Sequence, residues 1–233
     1  MNIELEITLR CNIACPGCSR HCSYLDYSDS DMTLEQIDKF VAEVKNHGDV
    51  DLISVMGGEP TIHPDFEIIM LKIYSELFQK GVIKRLQIVT NGVIPVSEVI
   101  KQLPLSVITV LWERDKLQNF RCQLVAPIDT GQEMKDWRDC EVLRCCGTAV
   151  NTYGVSPCGA GGAIARLFGL KKYIVFHLPK SASDFGDLWD MCKYCQVLAK
   201  PYMFYKDYGY IQSRSFKEAF NGAEERIRKL HRY

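Results

Sequence analysis

The sequence predicts an α/β protein: a partial (βα) barrel of five to six parallel strands, with a small cysteine-rich α+β extension after it. Three observations predict this. Apolar runs alternate with amphipathic helical stretches over residues 1–126. Several of those runs are unbroken, as in parallel strands covered on both faces. After Pro127 the alternation stops, and cysteine, glycine and aromatic residues take over.

Ile3–Thr8 alternates polar and apolar residues as a strand does. Thr33–Asn46 then puts Leu34, Ile37, Phe40, Val41 and Val44 on one helical face, and Thr33 with Gln36 reads as a capping box. Asp51–Met56 is a second strand. Pro64–Lys80 is a second helix, with Phe66, Ile69, Met70, Ile73, Leu77 and Phe78 at helical spacing and Gly81 closing it. Arg85–Thr90, Val107–Trp112 and Arg121–Val125 read as further strands, separated by short helices at Val96–Gln102 and Asp115–Asn119. Five strands joined by right-handed crossovers are too few to close an eight-stranded barrel, so the barrel is expected to be open, with its chemistry at the C-terminal strand ends. Thr148–Asn151 and Val155–Cys158 flank Tyr153-Gly154 as a small hairpin. Arg214–Arg232 is a charged, exposed helix or tail. The expected division is a core at 1–130, a cysteine-rich region at 131–213 and a C-terminal segment at 214–233.

With 47% hydrophobic and 24% charged residues the composition is that of an ordinary globular protein, and a net charge of -1 provides no overall attraction to nucleic acid or an anionic membrane. No apolar run approaches a membrane span, and MNIELEITLR lacks the pattern of a secretory leader. A cytoplasmic protein with neither nucleic acid nor membrane as partner is expected. Eleven cysteines in such a protein point to metal ligation rather than disulfides. Four lie between 11 and 22, six between 140 and 195, and Cys122 stands alone, so two sites are expected.

The first set, Cys11-Asn-Ile-Ala-Cys15-Pro-Gly-Cys18, follows the first strand directly. Three thiolates in one loop can hold three irons of a cubane and leave the fourth open. A structural zinc site would want a fourth ligand, which Cys22 or His21 offers. Gly57-Gly58-Glu59-Pro60 follows the second strand and Thr90-Asn91-Gly92 the third; the glycines also suit tight turns there. In this order and at strand ends, the three motifs resemble those of the radical S-adenosylmethionine (SAM) superfamily.

The resemblance implies a [4Fe–4S] cluster on Cys11, Cys15 and Cys18. It also implies that Gly57, Gly58, Glu59 and Pro60 contact the amino group of S-adenosylmethionine, and that Thr90 and Asn91 lie near that cosubstrate. A flavodoxin or ferredoxin would supply the electron for a 5′-deoxyadenosyl radical that abstracts hydrogen from substrate. Gly17 stands where the family usually has an aromatic residue beside the adenine.

Cys146-Gly147, Tyr153-Gly154 to Cys158, and Cys192-Lys193-Tyr194-Cys195 resemble the twitch or SPASM extensions of the same superfamily, although Gly154 is one position nearer Cys158 than is usual. That implies one auxiliary [4Fe–4S] cluster on Cys146, Cys158, Cys192 and Cys195, with Cys140 the alternative to Cys146 and Cys145 a spare. A four-cysteine zinc ribbon is the competing reading.

The expected substrate is a small polar molecule or carbohydrate that is oxidised or epimerised; a peptide substrate, or a zinc-stabilised binding protein without catalysis, are the alternatives. Cys122 is a candidate hydrogen-atom donor, or a small buried residue. Glu113, Arg114 and Asp115 follow a strand, where site residues or a solvated turn would stand. His63 follows the GGEP motif, and Tyr202, Phe204, Tyr205, Tyr208 and Tyr210 would wall a pocket or pack over the extension.

Overall fold

The computed structural model describes residues 1–15, 17–109, 124–131, 136–198 and 212–233. Cys122, Glu113, Arg114 and Asp115, the helix expected at Asp115–Asn119 and the aromatic stretch Tyr202–Tyr210 lie outside the described residues, as does most of the strand expected at Arg121–Val125.

Among the described residues one six-stranded sheet organises the fold. It contains β1 (Asn2–Thr8), β2 (Leu52–Gly57), β3 (Arg85–Thr90), β4 (Ser106–Thr109), β5 (Thr148–Asn151) and β6 (Gly154–Ser156), in the order β4-β3-β2-β1-β5-β6. All neighbours are parallel except β5 and β6, which form an antiparallel hairpin. Each parallel step from β1 to β4 needs a crossover, and helices provide them. The first, α1 (Leu34–His47), starts at Thr33, whose side chain and that of Gln36 form the expected capping box, and it ends on Gly48 in the left-handed conformation. The second, α2 (Phe66–Ile73), runs on as a π-helical turn through Phe78, and the third, α3 (Glu98–Lys101), is a single turn.

Ile3, Leu5 and Ile7 of β1 share one fully buried cluster with Ile37, Phe40 and Val44 of α1 and with Ile53, Val55 and Ile88 of the neighbouring strands. The alternate β1 residues Glu4, Glu6 and Thr8 are also buried, on the other face of the sheet. The strand alternation read from the sequence is therefore correct, but its polar face is not a solvent face.

Two expectations change. The hairpin placed in a separate extension is the continuation of the main sheet: Ile3, Glu4, Leu5 and Glu6 pair with Thr148, Ala149, Val150 and Asn151. A boundary near residue 130 therefore does not separate two sheets. The C-terminal segment is not an exposed tail either. It forms two short helices, Arg214–Phe220 and Ala223–Arg228, that bury Phe216, Ala219, Ala223 and Ile227, and Tyr233 donates its N–H to the Thr152 carbonyl at 2.7 Å. The reason is an apolar stripe at helical spacing inside a charged sequence. No described helix is long and apolar enough to cross a membrane.

Candidate active site

A cavity of about 410 Å³ opens at the C-terminal ends of β1, β2 and β3, a size typical of small-molecule sites. Cys11, Cys15 and Cys18 line it from the loop after β1, Gly57 and Gly58 from the end of β2, and Thr90 and Asn91 from the end of β3. The three sequence motifs thus meet at one place.

They are also bonded to one another. Glu59 is wholly buried. Its Oε1 accepts hydrogen bonds from Thr90 Oγ1 at 2.7 Å, Thr61 Oγ1 at 2.7 Å and Thr61 N at 3.1 Å, and its Oε2 accepts one from Asn91 N at 2.6 Å. The carboxylate that the resemblance assigns to the cosubstrate is turned into the protein, where it ties the β2 loop to the β3 loop. Asn91 in turn donates to Asn12 Oδ1 at 2.7 Å and approaches Cys11 Sγ at 3.9 Å. The backbone of Gly57 and Gly58, rather than the Glu59 side chain, faces the cavity. Both glycines are sterically required: a Cβ on Gly57 would lie 2.0 Å from the Thr8 carbonyl oxygen and one on Gly58 2.1 Å from that of Arg10. His63 is buried against the Met32 carbonyl at 3.0 Å and does not reach the cavity.

The cysteine loop is held from below. Gly17 has φ of +69°, which an aromatic residue would adopt only with strain, so the unusual glycine follows from the backbone. Its N–H donates to Tyr24 Oη at 2.9 Å and its carbonyl accepts from Gln196 Nε2 at 3.1 Å. Gln196 Oε1 also meets His21 Nε2 at 3.2 Å, so the residue next to Cys195 anchors the loop that carries Cys15 and Cys18. Hydrogen bonding from Cys22, with Arg20 nearby, lowers the Cys18 thiol to about 6 despite its burial, while burial raises Cys11. Thiolate character of this kind suits metal ligation.

His21 is fully buried against Phe216 and Phe220, and burial lowers its pKa to about 4 from 6.5. The unfolded chain therefore binds an extra proton between those values, and stability is lost as pH falls through that window, by about 3 kcal/mol at its lower end. Denaturant titrations from pH 7 to pH 4 are expected to show this loss, and His21→Asn, which tolerates the residue's φ of +57°, is expected to flatten it. An unchanged pH profile in that variant would exclude His21 as the cause.

The later cysteines divide between two places. Cys140, Cys158, Cys192 and Cys195 surround one small buried cavity, and burial raises the thiol pKa values of Cys158 and Cys192. Cys145 and Cys146 instead line the first cavity. Of the two cysteines that the sequence offers beside Cys158, Cys192 and Cys195, it is Cys140, the alternative, and not Cys146 that shares their cavity. A short helix, α4 (Glu141–Cys145), begins just after Cys140 and carries the chain away to the start of β1, where Asn2 Nδ2 donates to the Cys145 carbonyl at 2.9 Å. Burial and the nearby Glu4 raise the Cys146 thiol to about 11. Among the described residues, no three Cys, His, Asp or Glu side chains are gathered as a site for a single metal ion.

Sequence reasoning missed the polar floor of the first cavity. Arg20 donates to Glu4 Oε1 at 2.7 Å, Glu6 Oε1 at 3.2 Å and Ser19 Oγ at 3.0 Å. Glu6 also accepts from Asn151 Nδ2 at 2.7 Å, and Glu4 from Gly159 N at 3.1 Å, which ties β1 to β5 and to the helix after β6. Burial opposes the Arg20 charge, but the two carboxylates more than offset it and hold the guanidinium protonated. The available signal was the pair of glutamates alternating with Ile3, Leu5 and Ile7 in the first strand.

Residues 5–110 match the family described as Radical SAM superfamily. Over 90 residues the chain is 37% identical to an S-adenosylmethionine-dependent nucleotide dehydratase of Selenomonas ruminantium, a match covering 39% of this chain and 29% of that protein. Over 102 residues it is 30% identical to a tungsten-containing aldehyde ferredoxin oxidoreductase cofactor-modifying protein of Pyrococcus furiosus, covering 43% of this chain and 26% of the relative. Each match thus spans less than a third of the relative's length. The crystal structure of BtrN in complex with AdoMet and 2-DOIA is similar at a TM-score of 0.43 and 13% sequence identity, over 85% of this chain and 89% of that one.

Proposed function

We propose that this chain, whose residues 5–110 form a radical SAM domain, uses the cavity at its strand ends to generate a substrate radical on a small polar molecule or carbohydrate, with oxidation or epimerisation as the outcome. The observation that carries the reading is the convergence of Cys11, Cys15 and Cys18 with the Gly57-Gly58 backbone and Asn91 around one cavity. A radical SAM domain implies a [4Fe–4S] cluster and S-adenosylmethionine, and the donor set fits: three cysteines on one loop face a common space, and Cys18 is eased towards the thiolate.

When bound, such a cluster would supply the electron for reductive cleavage of S-adenosylmethionine. The chain's own residues do the rest. Cys11, Cys15 and Cys18 would hold the cluster; the polar backbone at Gly57 and Gly58 borders the space where the cosubstrate's amino group would lie. Glu59, Thr90 and Asn91 act as positioning residues that keep the three strand-end loops in register, and the buried floor excludes bulk water from a reactive radical.

An auxiliary [4Fe–4S] cluster on Cys140, Cys158, Cys192 and Cys195 completes the proposal, with a flavodoxin or ferredoxin as reductant. It is supported by the shared buried cavity of these four thiols. Anaerobic reconstitution is expected to give iron and sulfide near eight each per chain, together with 5′-deoxyadenosine that depends on reductant. Cys140→Ala is expected to lose about half the iron, while Cys146→Ala keeps it. Zinc alone, without cleavage, would overturn the proposal, and the opposite pattern between those two variants would overturn the ligand set.

A further inference from the structure

The register of the sheet aligns three polar side chains on the cavity floor. Glu4 of β1 pairs with Ser54 of β2, and Ser54 pairs with Gln87 of β3. All three line the cavity, and Gln87 Nε2 donates to Ser54 Oγ at 2.7 Å. Ser54 lies three residues before Gly57 and Gln87 three before Thr90, so the row sits roughly 10 Å along the strands from the Gly57-Gly58 and Thr90-Asn91 turns. Above it, between the row and those turns, Met56, Val89 and Ile108 line the cavity with apolar surface.

The charges of this floor are restrictive. Among the described residues lining the cavity, Glu4 and Arg20 are the charged ones, and they are bonded to each other. Arg20 is further committed to Glu6 and Ser19. A phosphate group brought to this floor would find no uncommitted cation among these residues and would face a carboxylate, and burying an unpaired anion is costly. A hydroxyl or amino group meets the reverse situation. The Glu4 carboxylate, which keeps lone pairs beyond its bonds to Arg20 and Gly159 N, and the Gln87 carboxamide oxygen can accept from it, and the Ser54 hydroxyl can donate to it.

We propose that Glu4, Ser54 and Gln87 form a substrate-binding row for a phosphate-free molecule bearing several hydroxyl or amino groups, whose reacting carbon is thereby presented to the cysteine-loop end of the cavity. This rests on the reading of that cavity as the active site. Among the described residues, the floor favours hydroxyl and amino groups over phosphate.

The test uses the anaerobically reconstituted full chain with S-adenosylmethionine present, titrated calorimetrically with two probe sets. One set contains phosphate-free polyols and amino sugars, including inositol, glucose and glucosamine; the other contains sugar phosphates and nucleotides, including glucose 6-phosphate and UTP. Binding is expected from the phosphate-free set, with Kd raised at least 10-fold by Gln87→Ala and by Ser54→Ala. Because Glu4→Gln also removes one of the two carboxylates that hold the buried Arg20, those two milder substitutions, each checked for an unchanged melting curve, carry the test. Binding only by the phosphorylated set, no binding by either set, or bound ligands indifferent to both substitutions would overturn the row. Absence of reductant-dependent 5′-deoxyadenosine in the wild-type chain would instead overturn the parent reading.

Discussion

Cys15→Ala is expected to abolish reductant-dependent 5′-deoxyadenosine formation and to remove about four of about eight irons after reconstitution. Cys15 lies between the other two members of the trio on a loop whose ends are separately anchored, at Cys11 through Asn91 and at Gly17 through Gln196. Removing the middle thiol leaves those anchors in place, so the melting temperature of the metal-free protein should change little while the chemistry is lost. The residual iron should then report the second set of cysteines alone, with its own electron paramagnetic resonance signal after reduction. Retention of deoxyadenosine formation, or loss of all iron, would contradict two separate sites. Chromatography of the nucleoside product and iron analysis on the same sample read both outcomes.

Gly58→Ala is the second large expected effect, and it acts through backbone packing. The added Cβ would lie 2.1 Å from the Arg10 carbonyl oxygen and 2.7 Å from that of Leu9, both backbone atoms that cannot rotate away. Relief requires the end of β2 to move off the chain after β1. That strains the Gly58 N–H bond to the Thr8 carbonyl at 2.9 Å and the Glu59 N–H bond to the Arg10 carbonyl at 2.8 Å. Overpacking of about 1–3 kcal/mol and about 1 kcal/mol for each weakened hydrogen bond together predict roughly 3–5 kcal/mol of destabilisation. The same displacement would shift Glu59 relative to Thr90 and Asn91, so S-adenosylmethionine affinity should fall with stability. Gly48→Ala is the control. Its Cβ would meet nothing within 4 Å and only its φ of +73° is strained, which predicts about 1 kcal/mol. Equal losses from the two substitutions in denaturant titrations would show that close approach at Gly58 is not the cause.

Local signals in the sequence were sufficient for β1, β2, β3, α1 and its cap, because each is written in a short window: alternation, an apolar run, or a Thr33–Gln36 pair before a helical stripe. The cysteine spacing and the two glycine-containing motifs are equally local, and they carry the similarity to the radical SAM superfamily, matched over residues 5–110, without reference to any contact. The role of Glu59 is different. Its partners Thr90 and Asn91 lie 31 and 32 residues away, and nothing in GGEP announces that its carboxylate points inward.

Composition, strand-helix rhythm and cysteine spacing therefore determined by themselves the α/β class and the placing of the cysteine and glycine motifs at the ends of the first strands, since both depend on periodicity and short-range order along the chain. Only the tertiary structure decided that residues 148–151 pair beside β1, that Cys140 rather than Cys146 lines a cavity with Cys158, Cys192 and Cys195, and that Glu4, Ser54 and Gln87 share one row. Those outcomes depend on pairing between distant segments. A parallel strand placed more than 140 residues from its partner leaves no periodic trace in either segment, and a shift of one residue in register would turn every side chain of that row to the opposite face.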